Sequence, residues 1–393
     1  MHYIRSFTLV LAIALLAGSV APVASAAEFE VSGWVPYWSG SRGTKDAQKH
    51  MGALNVIHPF AFTVQKDGKL KDLAGLSKSS WKRLITSAKK EEVLVVPTVM
   101  TSDTEGIHAI LSDDSLRKKH VRYISDMVKK GKYDGVDIDY EGKRSSTREY
   151  YSRFLEELKD ALGSKMLSCT IEARTPPDSL YRTVPEVIEY ANDYEVINRY
   201  CDRVNIMAYD QQRADLKLND KRKGEPYIPV ADTEWVEKVL RYTIRIIDKD
   251  KIVLGIATYG AEWDLSVAPD WFKAYGKLWA LNPSYAEDLL DDLDIKPYRN
   301  SAGELSFTYL PKGVSIPKSY KAPRGTHEAN EAASRALAYA NATGKTTLVN
   351  VVWWSDAQAV EEKVELAKEL GLLGVALFKI DGGEDQDIWD IFE

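Results

Sequence analysis

The sequence is poor in cysteine and has no internal repeats. Its two cysteines, Cys169 and Cys201, rule out a fold that depends on a framework of several disulfides. Both lie in apolar, strand-like stretches, which favours two buried thiols, although an exported protein also permits a bridge between them. Self-similarity with a period of about 20–50 residues is absent, as are low-complexity segments, so solenoid and repeat architectures are excluded.

The chain also lacks any excess of positive charge. It has 52 lysines and arginines against 58 acidic residues, a net charge of −6. This balance argues against nucleic acid as a partner. The acidic run at 288–294 lacks the glycine and the spacing of a known calcium loop, so we interpret it as a solvated helix face. We expect neither a metal site nor a cofactor.

Long apolar runs are missing except near the start of the chain. There, Arg5 precedes an apolar segment at 7–16, and small residues follow at Ala24-Ser25-Ala26. This is the layout of a signal peptide, and it predicts cleavage after Ala26 and a mature protein with no membrane span. The alternative, a membrane anchor, is disfavoured because the apolar segment is short. We expect the mature protein to be secreted or held at the cell envelope.

Beyond the apolar segment, strand-like runs alternate with amphipathic stretches, which is the pattern of parallel strands joined by crossover helices. The strand-like runs are residues 29–38, 53–64, 92–100, 133–141, 165–174, 202–210, 251–260 and 374–381. The helix candidates are residues 79–90, 116–130, 147–162, 183–197 and 233–247, with Thr147 and Thr233 as possible N-caps. Eight such strands predict an α/β fold, a (β/α)8 TIM barrel.

The spacing breaks once, between the seventh and eighth strands. Residues 262–345 mix Trp271, Trp279, a helical acidic run and an extended segment flanked by prolines, and we predict a small α+β insertion domain there. The predicted organisation is a signal peptide at 1–26, barrel strands 1–7 at 27–261, the insertion at 262–345, and the barrel completion with strand 8 at 346–393. The last part includes an extended stretch at 348–354 and a helix at 357–370.

The most informative segment is residues 134–141, D-G-V-D-I-D-Y-E. Side chains alternate along a strand, so Asp137, Asp139 and Glu141 share one face and three apolar residues share the other. Since helices cover the outside of a barrel, the acids must point into its lumen. Like charges buried together raise at least one pKa, which is how a general acid is made. Glu141 is the outermost acid, at the end of the strand where barrel active sites lie. The alternative is a structural acid cluster held by hydrogen bonds.

Together with Asp134, these three acids form the motif D-x-x-D-x-D-x-E. It resembles the signature of glycoside hydrolase family 18, the chitinase-like family that includes peptidoglycan-acting relatives. The segment Met207-Ala-Tyr-Asp210 is similar to the family's M-x-Y-D motif. The segments at 33–38, 254–260 and 374–381 follow in the family's order. The resemblance covers nearly the whole chain after the apolar segment.

The resemblance implies a retaining mechanism assisted by the substrate, in which the 2-acetamido group of the sugar is the nucleophile. Glu141 would then protonate the glycosidic oxygen and later act as base on the incoming water. Asp139 would orient the acetamido N–H, and Asp137 would share a proton or a hydrogen bond with Asp139. Tyr209 would hydrogen-bond the acetamido carbonyl.

The same resemblance implies substrate contacts around these acids. Met207 and Asp210 would shape the pocket, and Phe378 stands where the family usually has a tryptophan floor, which leaves a smaller stacking surface. Four further aromatic residues either line the cleft or pack in the core: Trp34, Trp38, Phe60 and Trp354. Arg174 would reach the substrate or pair with an acid.

Two classes of function stay open at this point. The leading one is hydrolysis of a polysaccharide that contains β-linked N-acetylglucosamine, with chitin-type and peptidoglycan-type polymers equally supported. The alternative is a catalytically silent carbohydrate-binding protein of the same family. Such proteins usually lose the acid, whereas this chain keeps Glu141.

Overall fold

The computed structural model describes residues 29–392. The expected signal peptide at 1–26 lies outside these residues. Within them, no helix combines the length and the apolar character needed to cross a bilayer.

The strands of the described chain form one closed sheet and one open sheet. In chain order they are β1 (Glu30–Pro36), β2 (Val56–Val64), β3 (Leu70–Asp72), β4 (Leu94–Val95), β5 (Thr98–Thr101), β6 (Gly135–Tyr140), β7 (Met166–Glu172), β8 (Arg203–Met207), β9 (Ile252–Ala257), β10 (Gly260–Ala268), β11 (Trp271–Leu281), β12 (Tyr298–Arg299), β13 (Leu305–Tyr309), β14 (Thr347–Trp354) and β15 (Gly374–Phe378).

Helices follow most of the strands. They are α1 (Gly40–Lys49), α2 (Ser79–Lys90), α3 (Thr104–Ser112), α4 (Asp114–Gly131), α5 (Arg148–Leu162), α6 (Pro177–Leu180), α7 (Tyr194–Tyr200), α8 (Leu216–Lys221), α9 (Thr233–Thr243), α10 (Pro283–Leu293), α11 (Glu331–Thr343) and α12 (Ala357–Leu370).

The closed sheet is a barrel of eight parallel positions, as the sequence predicts. Neighbours run β1, β2, β4 with β5, β6, β7, β8, β9 and β15, and β15 pairs with β1 to close the ring. The third position is split into β4 and β5 because Pro97, which has no N–H, interrupts it. All eight strands point the same way, so the loops after them meet at one end of the barrel.

The local sequence explains why β6 lies in the barrel wall. Val136 and Ile138 are fully buried and Tyr140 is 1% exposed, all within the main hydrophobic core. Helix α5 covers this outer surface with an apolar stripe at three- and four-residue spacing that includes Tyr151 and Phe154. The opposite face of β6, which carries the acids, is therefore left to face the lumen.

The insertion forms the open sheet, with strand order β11, β10, β14, β13, β12 and antiparallel pairing throughout. Strand β14 pairs with β10 and β13, although the sequence division at 346 groups it with the barrel completion. The physical reason is that the chain leaves the barrel directly after β9 to form the long strand β10. Because β10 lies inside the open sheet, it pairs with β11 on one side and with β14 on the other. The four aspartates of the run at 288–294 are exposed along α10 and its C-cap, as expected of a solvated helix face, whereas Leu290 faces the core.

One buried carboxylate joins the open sheet to the barrel. Glu304, fully buried, accepts hydrogen bonds from the backbone N–H groups of Val230 (2.9 Å) and Ala231 (3.0 Å) and from Trp353 Nε1 (2.6 Å). Residues 230 and 231 precede α9 of the barrel, whereas Trp353 belongs to β14. These charge-assisted bonds fix the open sheet beside the mouth of the barrel.

Strand β11 is the outer edge of the open sheet, and most of its side chains are exposed. Trp271 is 53% exposed and Trp279 is 47% exposed. Between them, Lys273 and Lys277 are also exposed. The pairing of β11 with β10 is interrupted by two register shifts.

Three local expectations change in the structure. Residues 183–197 are not one helix: the chain is irregular around Pro185, and α7 begins only after Asp193, whose carboxylate caps the N–H groups of Glu195 and Val196. Thr147 occupies the N-cap of α5, but its hydroxyl contacts His108 Nδ1 instead of the helix. Asp232, not Thr233, caps α9. For the two threonines, a nearby group competes better for the hydroxyl or for the free N–H groups.

The expectation of two free thiols is wrong. Cys169 and Cys201 form a disulfide that joins β7 to the end of α7. Both residues are buried, as expected, but their Cα atoms are 6.0 Å apart, which is within bridging range. The two cysteines are therefore buried in an apolar environment and also form a disulfide.

We predict that the double variant Cys169→Ala/Cys201→Ala keeps the fold but loses about 3–4 kcal/mol of unfolding free energy, since the bridge closes a loop with a sequence separation of 32 residues. Denaturant titration of the oxidised protein and the variant measures this difference. Equal midpoints would show that the bridge adds no stability.

Candidate active site

Three of the four acids in the sequence motif, Asp137, Asp139 and Glu141, line the lumen at increasing height. Asp137 is fully buried and Asp139 is 3% exposed. Glu141 follows the last residue of β6 and is solvent-exposed at the mouth. The strand geometry thus produces a column of carboxyl groups that runs from the barrel interior to its opening.

Asp137 is held by four donors from the surrounding strands. Its Oδ2 accepts hydrogen bonds from Trp34 Nε1 (3.1 Å) and Thr98 Oγ1 (2.8 Å). Its Oδ1 accepts from Thr170 Oγ1 (2.8 Å) and from Asn205 Nδ2 (3.4 Å). Because an ionised carboxylate only accepts, this arrangement suits a fixed buried anion.

Asp139 lies directly above this anion and has a different environment. Burial raises the pKa of Asp139 well above its ordinary value, and the carboxylates of Glu141 and Asp137 raise it further. Its Oδ1 is buried without a hydrogen-bond partner, and no bond joins it to Asp137 among the described residues. Burial and the neighbouring carboxylates therefore favour the protonated form of Asp139, and its Oδ1 is an unused polar atom.

Glu141 also has a raised pKa. The main cause is partial desolvation of the carboxyl group, followed by the nearby carboxylate of Glu172. Asp210 adds to the increase, whereas Lys143 opposes it. A carboxyl group at the mouth that holds its proton beyond the usual range is suited to general acid chemistry.

The chain after β8 supplies a phenol to the same cleft. Burial raises the pKa of Tyr209 well above its ordinary value, with Asp139 and Glu141 as further causes, so the phenol stays a hydrogen-bond donor. Met207 ends β8 and Asp210 follows Tyr209 in a left-handed conformation (φ 52°), exposed at the mouth. The motif at 207–210 thus turns the chain at the rim of the cleft.

Phe378, the last residue of β15, is the centre of an aromatic cluster. Its ring is stacked on Tyr209 at 5.5 Å with an interplanar angle of 9°. Trp34, Phe60 and Tyr259 approach it edge-on at 5.8, 6.0 and 6.1 Å. Phe378 remains partly exposed, so one apolar surface of the cluster faces the cleft.

The predicted aromatic residues divide into three groups. Trp38 is 51% exposed and lines a cleft of about 490 Å³ together with Phe378, Asp210 and Tyr259. Trp34 and Phe60 are buried beneath it. Trp354 lies elsewhere, 2% exposed in the core of the open sheet and edge-on to Phe307 at 6.0 Å.

The insertion forms one wall of this cleft. Lys277, Ala280 and Leu281 of β11 line it, and Asn282 follows them. Lys379 lines the opposite side and donates a hydrogen bond to Asn282 Oδ1 at 2.6 Å. The open sheet and the end of β15 are therefore tied together across the edge of the cleft.

Sequence reasoning missed three residues at the site. Tyr259 ends the seventh-strand motif, where its position was visible but its role was not. Glu172 ends β7 and Lys143 lies two residues after Glu141, and they meet only in the folded chain, with 3.7 Å between Lys143 Nζ and Glu172 Oε2.

Arg174 neither faces the cleft nor pairs with an acid in the described chain. Its guanidinium lies between the rings of Tyr190 (3.6 Å) and Tyr194 (3.8 Å) and donates a hydrogen bond to the carbonyl of Asn192 (2.8 Å). It therefore holds the irregular segment before α7 against the barrel.

Within residues 29–392, no group of three histidine, cysteine or acidic side chains is placed to hold a metal ion. A (β/α)8 barrel with an acid of raised pKa and aromatic rings at its mouth has the features of a glycosidase. The chain belongs to the glycosyl hydrolases family 18, whose model matches residues 33–383.

Individual similar proteins are consistent with this family assignment. The uncharacterized glycosylase YvbX of Bacillus subtilis is 23% identical over 393 residues, covering 97% of this chain and 96% of that protein. The crystal structure of the Bacillus cereus spore cortex-lytic enzyme SleL superposes with a TM-score of 0.67 at 19% identity, covering 94% and 74% of the two chains. That of a chitinase from Cycas revoluta in complex with (GlcNAc)3 gives 0.67 at 15% identity, covering 92% and 98%.

Because Asp139 and Asp137 have different environments, we predict that replacing each of them by asparagine has opposite effects on the free energy of unfolding. We expect Asp139→Asn to raise the free energy of unfolding at neutral pH by about 1–2 kcal/mol, because it removes a buried carboxyl that the folded state holds against its tendency to ionise. The raised pKa makes the wild type lose stability as pH rises from about 4, so the gain should shrink toward pH 4.

The matched control is Asp137→Asn. It places an amide against four donors and should lower stability by about 1–3 kcal/mol. Denaturant titrations of both variants at pH 4 and pH 8 provide the comparison. Equal destabilisation of the two would contradict the different environments described above.

Proposed function

We propose that the protein hydrolyses a polysaccharide containing β-linked N-acetylglucosamine, with Glu141 as the general acid and the sugar's own acetamido group as the nucleophile. The observation that carries the proposal is the placement of Glu141 at the mouth above the buried Asp139, whose Oδ1 has no hydrogen-bond partner, with the pKa of both acids raised. Family membership supports the reaction class.

In the first step Glu141 gives its proton to the glycosidic oxygen as the C1–O bond breaks. The acetamido carbonyl oxygen bonds to C1 and forms an oxazolinium ring, so the substrate supplies the electron pair that a second carboxylate gives in other retaining enzymes. Tyr209, kept as a donor by its raised pKa, hydrogen-bonds the acetamido oxygen. The free Oδ1 of Asp139 is the matching acceptor for the acetamido N–H.

In the second step Glu141, now ionised, takes a proton from water as the water oxygen attacks C1 and the ring reopens. Asp137 acts as a fixed anion beneath Asp139, and its four protein donors keep it in place while charge develops above. This refines the expected sharing of a proton between the two aspartates, because the bonds that hold Asp137 come from other residues.

The aromatic surface supplies sugar contacts at the same site. Phe378 forms the floor, Trp38 is exposed for stacking, and Met207 and Asp210 shape the rim. Trp34 and Phe60 support the floor from below. Trp354 contributes through packing of the open sheet and not through sugar contact.

The substrate class includes both chitin-type and peptidoglycan-type glycans, since both carry N-acetylglucosamine. The similarity to a spore cortex-lytic enzyme and to a chitinase supports each of them. Export after cleavage at Ala26 and action in the medium or the cell envelope agree with polymers of this kind. The silent carbohydrate-binding alternative is not favoured, because the chain keeps Glu141 together with Asp139 and Tyr209.

We predict that Glu141→Gln keeps the fold and loses about 10²–10⁴-fold in kcat, since the amide has nearly the same volume and cannot donate its proton. The exposed Glu361→Gln on α12 is the matched control and should retain full activity. Turnover of a chromogenic chitobioside measures both. A Glu141→Gln enzyme within threefold of wild type would remove Glu141 from the mechanism.

The nucleophile is tested with three oligomers of equal length: N-acetylglucosamine, deacetylated glucosamine and glucose. We predict that only the acetylated oligomer is cut, that a thiazoline analogue inhibits, and that Tyr209→Phe slows its cleavage. Purified peptidoglycan in the same assay distinguishes the two substrate types. Comparable cleavage of the glucose oligomer would mean that a protein carboxylate attacks.

A further inference from the structure

Lys143 is a buried cation two residues beyond Glu141. Its side chain is fully buried, and its Nζ donates a hydrogen bond to the carbonyl of Tyr140. The same Nζ lies 3.7 Å from Glu172 Oε2 and 4.8 Å from the centre of the Tyr151 ring. A lysine is seldom buried without a reason, because removing its charge from water is costly.

Glu172 binds the backbone that immediately follows Glu141. Its Oε1 accepts a hydrogen bond from the N–H of Gly142 at 2.9 Å. Its Oε2 accepts one from Asn192 Nδ2 at 2.8 Å and faces Lys143. Gly142 has a positive φ of 63°, a conformation in which the chain turns away from β6. Glu172 and Lys143 thus fix both ends of this turn.

The charged groups around Glu141 come from three strands. Asp139 lies below it on β6, Glu172 ends β7, and Asp210 follows β8. Lys143 is the cation that balances these carboxylates on the side of the turn. The proposed reaction requires Glu141 to hold a proton and then to release it, so both signs of neighbouring charge matter.

We propose that Lys143 and Glu172 form a positioning pair that fixes the Glu141 turn and sets the pH range in which Glu141 is protonated. The inference rests on the proposed role of Glu141 as the general acid. Glu172 favours the protonated form of Glu141, and Lys143 favours the ionised form that exists after proton transfer. Their ion pair keeps these opposite influences at fixed distances.

The two members of the pair therefore predict opposite effects on the alkaline limb of the kcat/KM profile, above which Glu141 has lost its proton. Glu172→Gln removes a negative neighbour, lowers the pKa of Glu141, and should move the limb to lower pH by on the order of one unit. Lys143→Gln removes the positive neighbour and should move the limb to higher pH by a similar amount.

The ion pair between Lys368 and Glu365 on α12, with 2.8 Å between Nζ and Oε1, is the matched control. Lys368→Gln and Glu365→Gln change the net charge in the same way at an exposed site, and we expect them to leave the limb in place. A pair that only stabilises the fold would lower the melting temperature in both site variants without moving the limb, or would move it in one common direction. Either result overturns the proposal.

If one variant does not fold, the remaining variants still test the proposal. If Lys143→Gln fails, Glu172→Gln must still lower the limb, and the double variant, which removes no net charge, must return it close to the wild-type position. If Glu141→Gln retains activity, the proposed function itself fails. If Glu141→Gln is inactive but the limb does not respond to Glu172→Gln, only the positioning pair is wrong.

Discussion

The alignment of three carboxyl groups along the inner face of β6 and its end, two of them buried, is the constraint from which the site follows. A strand whose outer face must pack under helices has only its inner face left for polar groups, and here that face carries Asp137, Asp139 and Glu141. The environment of each acid depends on its depth in the barrel. The deepest one receives four donors, the middle one has a pKa that burial raises well above its ordinary value, and the outermost one reaches solvent. One column thus places three carboxyl groups in three different electrostatic environments.

The remaining elements of the cleft are arranged around this column. Donors to Asp137 come from β1, β5, β7 and β8, so the column also holds the register of half the barrel. Phe378 closes the cleft on the β15 side, and the open sheet, fixed by Glu304, closes it on another. The open sheet lies at the mouth because β10 continues directly from the barrel after β9.

Much of this was visible in the sequence because it depends on local periodicity. Alternation within 134–141 gave the face of each acid, and the regular spacing of strands gave the barrel and the place of its insertion. What the sequence could not provide depends on distant contacts. Lys143 and Glu172 meet only once β6 and β7 lie side by side. The disulfide needs the end of α7 to lie beside β7, and Trp354 is a core residue only because β14 joins the second sheet.

The exposed edge strand β11 has a further consequence for how the protein behaves at high concentration. An edge with free backbone groups and two exposed tryptophans is a template on which a second copy can add a strand. Two copies joined along β11 would bring Lys273 and Lys277 of both chains together, and the two register shifts bend the edge away from the flat shape that such pairing needs. The indole rings can therefore stay in contact with solvent while self-association through this edge is opposed.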